Sequence, residues 1–410
     1  MPRLRRPSRP SDPSALSPPS GVSDPSALSP PLALSPPLAL LDPPRPSRVS
    51  RLSRPSLPSG HLRAPSRRTR TVTGLELGAT QAIAAEAHLQ DGQILTDRVA
   101  ARALPHGLMS EGLVVEPDRL ASELRALFEE HGFAKRVRVG LATPRTVLRV
   151  IDLPPLEERD IETALLMQAQ ERIPMPLDRA VMDFHTIGLV DTPEGRRLRV
   201  IVVATEKEGV ERLLHTLKLA GLKAEGIDLS IFAVIRALAG VRQTPGPVLY
   251  AQLGDLVTIA IAESGMCRFT RQAPQGLAVV LGRLAEMRAI PIDEARGVLQ
   301  AIGRPRTEAG PSDGDQDVFA LLARAAVELG SELRAAAEFY STQFGSGVVT
   351  AGVVTGALAS LPGFVESLAD ASGLELVCGE VTAVSTEALG GIDPRLAPVA
   401  SGLAVGKLGS

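Results

Sequence analysis

The chain has 410 residues, 44% hydrophobic content and a net charge of −2, enough to bury a sizeable core and to form two domains or more. Aromatic residues make up only 3% and tryptophan is absent, which argues against a base-stacking nucleic-acid surface. The two cysteines, Cys267 and Cys378, lie far apart and form no CxxC, which argues against a disulfide framework or a zinc site and suits a reducing cytoplasm.

Residues 1–70 differ in kind from the rest. They hold half of the 34 prolines, no aromatic residue, and a repeat, SDPSALSPP, at Ser11 and again at Ser23. Such a segment buries too little apolar surface to offset its ordering entropy, so a disordered tail is expected. Twelve arginines against three aspartates make it basic. The expectation is a solvated tail, or an extension upstream of the true start, in preference to an arm on anionic lipid or nucleic acid.

From Val72 to Leu104 the pattern is a strand ending at Leu77, a Gly78-Ala79-Thr80 turn, a second strand, an Asp91-Gly92 hairpin and a third strand. Pro117 then opens a helix with Leu120, Leu124, Leu127 and Phe128 at helical spacing and Gly132 as its stop. Strands through Val137–Leu141 and Val147–Leu153 follow, then a helix over LEERDIETALLMQAQER. Two long strands, about Ala180 to Val190 and Arg197 to Ala204, come next. Thr205 and Glu208 have capping-box spacing for a helix that points Val210, Leu213, Leu214 and Leu217 inward. A strand to Leu229, a helix capped by Ser230 and a linker over 243–247 complete this half.

Val248 to Gln272 repeats the opening plan: a strand to Leu253, a Gly254-Asp255 turn, a second strand, a Ser264-Gly265 hairpin and a third strand. Helices are expected at 277–287, 293–302 and 318–344, separated by a polar loop at 309–315. A buried strand over Val348–Thr355, a helix at 361–372, a strand at 374–377 and a closing helix at 396–405 end the chain. The run Gly347 to Val365 is broken by Thr350, Gly352, Thr355, Gly356, Ser360 and Pro362, so it does not read as a membrane span. Strands alternating with helices behind antiparallel meanders indicate an α/β chain with mixed sheets. A glycine after the first strand of each meander would let backbone N–H groups approach a small anion, although ordinary hairpin turns explain the same spacing.

LELGAT with PHGLMSEGLV, VGLATPRTVLRVIDLPPLEERDIETAL, QERIPMPLDRAVMDF, VIVVATEKEGVERLLHTLKLAGLKAEGIDLS and LGSELRAAAEFYSTQF followed by VVTGALASLPGF stand in an order and spacing that resembles the actin-like ATPase superfamily. Within it the chain is most similar to the PilM family of type IV pilus assembly proteins, relatives of the cell-division protein FtsA. The resemblance covers about Val72 to Lys407. It implies a two-lobed, RNase H-like duplicated fold, lobe one at 71–245 with a small α+β insert at about 104–188 and lobe two at 246–410. It further implies ATP and Mg in the cleft, and a place on the cytoplasmic face of the inner membrane within a pilus assembly complex. There the family docks the cytoplasmic tail of a PilN-like membrane protein, and self-association is a further expectation. By the same resemblance Gly78, Ala79 and Thr80 form one phosphate loop, Gly254, Asp255 and Thr258 the other, and Gly356 and Ala357 belong to the adenosine loop.

Several positions depart from the family pattern. An aspartate that usually ends each first strand and holds the water shell of the metal is Glu76 in one half and Gln252 in the other. The lysine common after the first loop is Ile83, and the double glycine of the adenosine loop is Gly356-Ala357. Glu76 is the candidate metal-holding and catalytic residue, whereas Gln252 reads best as a polar strand end satisfied by its neighbours. Asp255 could make up part of the lost charge, although the strand period points it elsewhere. Hydrolysis is therefore not expected, and nucleotide binding stays open.

Other patterns carry less. GLAVGKL at Gly402 is one residue short of a P-loop and lacks the Ser or Thr for the metal, and GSGVVT at Gly345 lacks a third glycine. His131 and His215 are expected on helix surfaces, and EERD at Glu157 in a solvated first turn. The leading expectation is a pilus or secretion-system scaffold. The alternatives are a sugar-kinase-like phosphotransferase, opposed by Gln252, and a division-type membrane tether, opposed by an end without an amphipathic helix.

Overall fold

The computed structural model describes residues 71–193, 195–242, 245–303, 315–344 and 347–406. The tail at 1–70, residues 243–244 of the linker, most of the 309–315 loop and the end from Lys407 lie outside the described residues.

The chain opens with β1 (Thr73–Leu77), β2 (Gln81–Gln90) and β3 (Gln93–Ala103), an antiparallel meander. Asp91 and Gly92 turn β2 into β3, both at positive φ, the geometry that a two-residue hairpin needs. A short hairpin follows, β4 (Met109–Ser110) and β5 (Leu113–Val114), which the sequence pattern did not suggest. Helix α1 (Pro117–His131) starts at its proline and ends at left-handed Gly132, burying Leu120, Leu124, Leu127 and Phe128. β6 (Arg136–Leu141) then lies parallel to β1.

Next comes a small layer of its own: β7 (Val147–Leu153), α2 (Glu158–Arg172), β8 (Ala180–Thr192) and β9 (Gly195–Glu206), with strand order β7-β9-β8. Its strands bury both faces by alternation. Ile151, Leu153, Leu198 and Val200 pack under α2, while Leu148 and Ile201 turn the other way. Helix α3 (Lys207–Leu219), β10 (Lys223–Leu229), parallel to β6, and α4 (Ser230–Leu238) follow.

The second half is β11 (Val248–Leu253), β12 (Val257–Glu263) and β13 (Met266–Ala273), again an antiparallel meander. Helices α5 (Leu277–Arg288), α6 (Ile292–Gly303) and the long α7 (Gln316–Phe344) pack on it before β14 (Ala351–Thr355) joins parallel to β11. Helix α8 (Phe364–Ser372) and β15 (Glu375–Cys378) close this sheet. The sheet orders are β10-β6-β1-β2-β3-β16 and β13-β12-β11-β14-β15, so each has a meander with two parallel strands laid beside its first strand. The added strand, β16 (Thr382–Ala383), pairs with β3, and α9 (Pro398–Val405) returns to pack on β1, β2 and α4. The approach is close: a Cβ on Gly74 would lie 1.8 Å from Ala400 O. The carbonyls at the end of α9 are capped by guanidinium groups, Arg138 on Leu403 O and Arg236 on Gly402 O.

Four local expectations are corrected. Thr205 does not cap α3, because pairing with β8 carries β9 through Glu206, and the Thr205 hydroxyl accepts from Thr146 Oγ1 at 3.1 Å. Leu214 is 39% exposed, turned off the face that buries Leu213 and Leu217. Ser230 is a buried residue of α4 with no capping bond, and Leu229 holds the cap position. Val348 is exposed, since β11 offers partners only from Gly352 onward.

Candidate functional site

β1 and β11 are matching strands of the two sheets, and the loops that follow them meet. Gly78 N–H donates to Gln81 O at 2.9 Å and shapes the first loop. β11 pairs with β12 from Val248↔Ala262 to Leu253↔Val257, which leaves Gly254, Asp255 and Leu256 as the second loop. The strand period therefore stops at Leu253, and Asp255 turns towards the first loop. Its carboxylate accepts from Thr80 N–H at 3.1 Å and from the Thr80 hydroxyl at 3.0 and 3.2 Å. Gly78 makes room for it: a Cβ there would lie 2.5 Å from Asp255 Oδ2.

One step back along the strands, Gln252 Nε2 donates to Glu76 Oε1 at 2.5 Å. Gln252 therefore has the neighbour expected of a polar strand end, and that neighbour is Glu76. As a whole residue Glu76 is half-buried, but its Oε2 is enclosed and has no hydrogen-bond partner among the described residues. Desolvation pushes the Glu76 carboxyl up to about 8, with the Asp255 charge adding and the Gln252 hydrogen bond opposing. At neutral pH it is mostly an uncharged acid. Asp255 is also pushed upward by desolvation, opposed by Thr80, Ala79 and the charge of Arg296.

Arg296 ties the same two loops a second time. It lies on α6 and donates to Leu104 O at 3.1 Å, while Leu104 N–H donates to Thr80 O at 2.9 Å. The second loop is also seated on the start of α5, where Leu277 N–H donates to Gly254 O at 2.8 Å. Gly276 permits that seating, because its Cβ would stand 2.1 Å from Asp255 O. Thr258 is buried opposite Gln252, with Gln272 next in the row. Gly356 lies against Leu253, where a Cβ would be 2.8 Å from Leu253 O, and its N–H donates to Arg395 O at 2.9 Å. Ala357 starts a short 3-10 turn.

Glu76, Gly78, Ala79, Thr80, Gly254, Asp255 and Thr258 thus gather at one place. Gly356 and Ala357 border the second strand from its other side, held by the segment around Arg395. Arg296 and Arg395 escaped the sequence reading because an arginine on a helix or in a loop carries no local signal of its partner.

These residues do not fit a magnesium triphosphate as they stand. The N–H and hydroxyl of Thr80 are already engaged by a carboxylate where a phosphate would need them. Glu76 Oε1 is already bonded to Gln252 where a metal's water shell would need it. Among the described residues, no group of three or more His, Cys, Asp or Glu side chains is placed to hold a metal ion.

A second feature lies at the end of β1. Leu77, Met109, Gly112, Val114, Gly140, Leu141, Gly209 and Leu213 line a small groove with room for about one water. Val115, after the β4-β5 hairpin, and Leu214, on α3, are 48% and 39% exposed. No helix among the described residues is long and apolar enough to cross a membrane.

A family profile described as type IV pilus assembly protein PilM matches residues 74–384. Among solved structures, a chain of the "PilM-PilN type IV pilus biogenesis complex" is 25% identical with a TM-score of 0.68, over 82% of this chain and 97% of that one. The ethanolamine utilization protein EutJ from Carboxydothermus hydrogenoformans shares the fold alone, at 16% identity and a TM-score of 0.51, over 82% of this chain and 89% of its own. The two sheets built on one strand plan are the two-lobed actin-like architecture. With that architecture and a profile spanning most of its length, the chain belongs to the type IV pilus assembly protein PilM family.

Proposed function

We propose that the chain is a scaffold of type IV pilus, or related secretion-system, assembly that grips the short cytoplasmic tail of a PilN-like inner-membrane protein. The observation that carries this is the match to the PilM family over residues 74–384, and the surface proposed for the tail is that around half-exposed Val115, after the β4-β5 hairpin, and Leu214 on α3. Support comes from the similarity to a chain solved in a PilM-PilN complex. Exposed large aliphatic side chains suit an apolar segment of a partner better than water. In this reading 71–245 with the returning β16 and α9 form the first lobe and the rest of 246–410 the second, the insert is the β7-β9-β8 layer, because β6 within the expected 104–188 span pairs with β1, and the protein works in the cytoplasm, held at the membrane by its partner. The nucleotide site is degenerate, and the protein works by binding rather than by turnover.

The test is fluorescence anisotropy of a labelled synthetic tail, taken from the PilN-like protein encoded with this chain, titrated with the full-length protein. Saturable binding that weakens about tenfold or more in Val115→Glu is expected, since a charge would be desolvated against the peptide. No binding by the unaltered protein would count against the proposal.

A further inference from the structure

We infer that the anion-binding loop of the first lobe takes an internal ligand, the Asp255 carboxylate of the second lobe, and that this latch keeps the cleft shut without nucleotide. The inference stands on the geometry of the two loops and goes beyond the docking of a membrane-protein tail.

An actin-like cleft offers backbone donors from two loops to an anion lying between them, and each lobe needs that anion to hold the other. Here the second loop supplies an acceptor instead. The Asp255 carboxylate takes Thr80 N–H and the Thr80 hydroxyl together, donors of the kind that a phosphate oxygen would use. Gly78 is the residue that lets the carboxylate reach so deep, and any side chain in its place would meet Oδ2. The backbone of Asp255 is fixed in turn by the start of α5, and the backbone of Thr80 by Leu104 and Arg296. Beneath the latch, Glu76 and Gln252 bond each other across the same boundary, so the usual place for a metal's water shell is closed as well. The Asp255–Thr80 and Glu76–Gln252 contacts join residues 175 and 176 positions apart, and both are made by protein groups alone. An oligophosphate can enter only by expelling a carboxylate already satisfied by the same donors. The like charge of the carboxylate opposes that exchange.

Two measurements on the full-length protein test this. In hydrogen-deuterium exchange, the peptide covering Gly78 to Gln81 is expected to be protected without nucleotide, unchanged by added MgATP, and to exchange about tenfold faster or more in Asp255→Ser. In equilibrium dialysis with radiolabelled MgATP, the unaltered protein is expected to retain none above a protein-free control, and Asp255→Ser to retain it. Equal retention by the two proteins, retention by neither, or equal exchange of the loop in both would overturn the latch. Should Asp255→Ser fail to fold, a gain of loop protection in the unaltered protein on adding MgATP would overturn it just as well. The tail titration reads a different surface, so a protein that ignores the tail but protects its loop refutes the scaffold reading and leaves the latch standing.

Discussion

The two lobes share a strand plan and differ in what their loops offer. Both sheets place a strand, a glycine-containing turn and a returning strand at matching positions, so the backbone geometry is nearly symmetric. The first loop presents donors, from Thr80, and the second presents an acceptor, Asp255. Two donor loops need a third body between them, whereas a donor loop and an acceptor loop satisfy each other. In the latch inferred above, a duplicated fold holds itself through a single side chain, with the strand plan of both sheets kept. The groove at the end of β1 breaks the symmetry in a second way, because no counterpart of the β4-β5 hairpin stands beside β11 among the described residues.

The sharpest way to break this comparison is to dislodge the second loop by its backbone. Gly276→Ala should cost about 3 kcal/mol or more, because its Cβ meets the Asp255 carbonyl and that backbone has little freedom to yield. Thermal melts followed by circular dichroism are the readout, tryptophan being absent. Next in size, Asp255→Ala should cost about 1–3 kcal/mol by leaving the Thr80 N–H and hydroxyl without their acceptor. Gly78→Ala should cost a similar amount in the native background and markedly less beside Asp255→Ala, since its clash is with that carboxylate. Additive effects in this double-mutant cycle would mean that the loops do not act on each other.

Val115→Glu sharpens the comparison from the other side. It should weaken tail binding by about 1.4 kcal/mol or more while leaving loop protection untouched, because it alters a feature of one lobe only. The pH profile is smaller at neutral pH but distinctive. Glu76 holds its proton in the folded protein up to about 8, whereas the unfolded chain loses it in the ordinary carboxylate range. The stability it contributes is complete below that range and falls as pH rises towards 8, and the upward shift of Asp255 acts in the same direction. Glu76→Gln keeps the shape and removes this titration, so its melting temperature should gain on the unaltered protein between pH 5 and 8. A melting temperature of Glu76→Gln that falls relative to the unaltered protein over that range would refute the assignment. The least effect, about 0.5–1 kcal/mol, is expected for Arg199→Lys, which loses a two-pronged contact with Asp152 in the insert and leaves both loops alone.

Much of the fold was legible because its signals are local. Alternation over Gln81–Gln90 and Val257–Glu263, the Asp91-Gly92 turn and the Pro117 and Gly132 limits of α1 all follow from side-chain period and allowed φ. Where a distant partner decides, local pattern misled. Thr205 looks like a helix cap until β8 extends the strand through it, and Val348 looks buried until β11 runs out of partners. The stretch from Val381 to Leu396 gave no periodic signal, because its short turns are held by bonds such as Thr355 to Arg395 and Val384 to Thr96 rather than by a repeating face.

The candidate site divides along the same line. The alternating runs and their glycines determined by themselves that this chain carries two equivalent loops, since strand period and turn chemistry act over a few residues. Where the Asp255 side chain goes, that Glu76 meets Gln252, and that Arg296 reaches Leu104 were decided only when the lobes packed. Those contacts depend on which loop faces which across long loops of chain, and a hydrogen bond between residues so far apart leaves no trace in the order of the residues around either one.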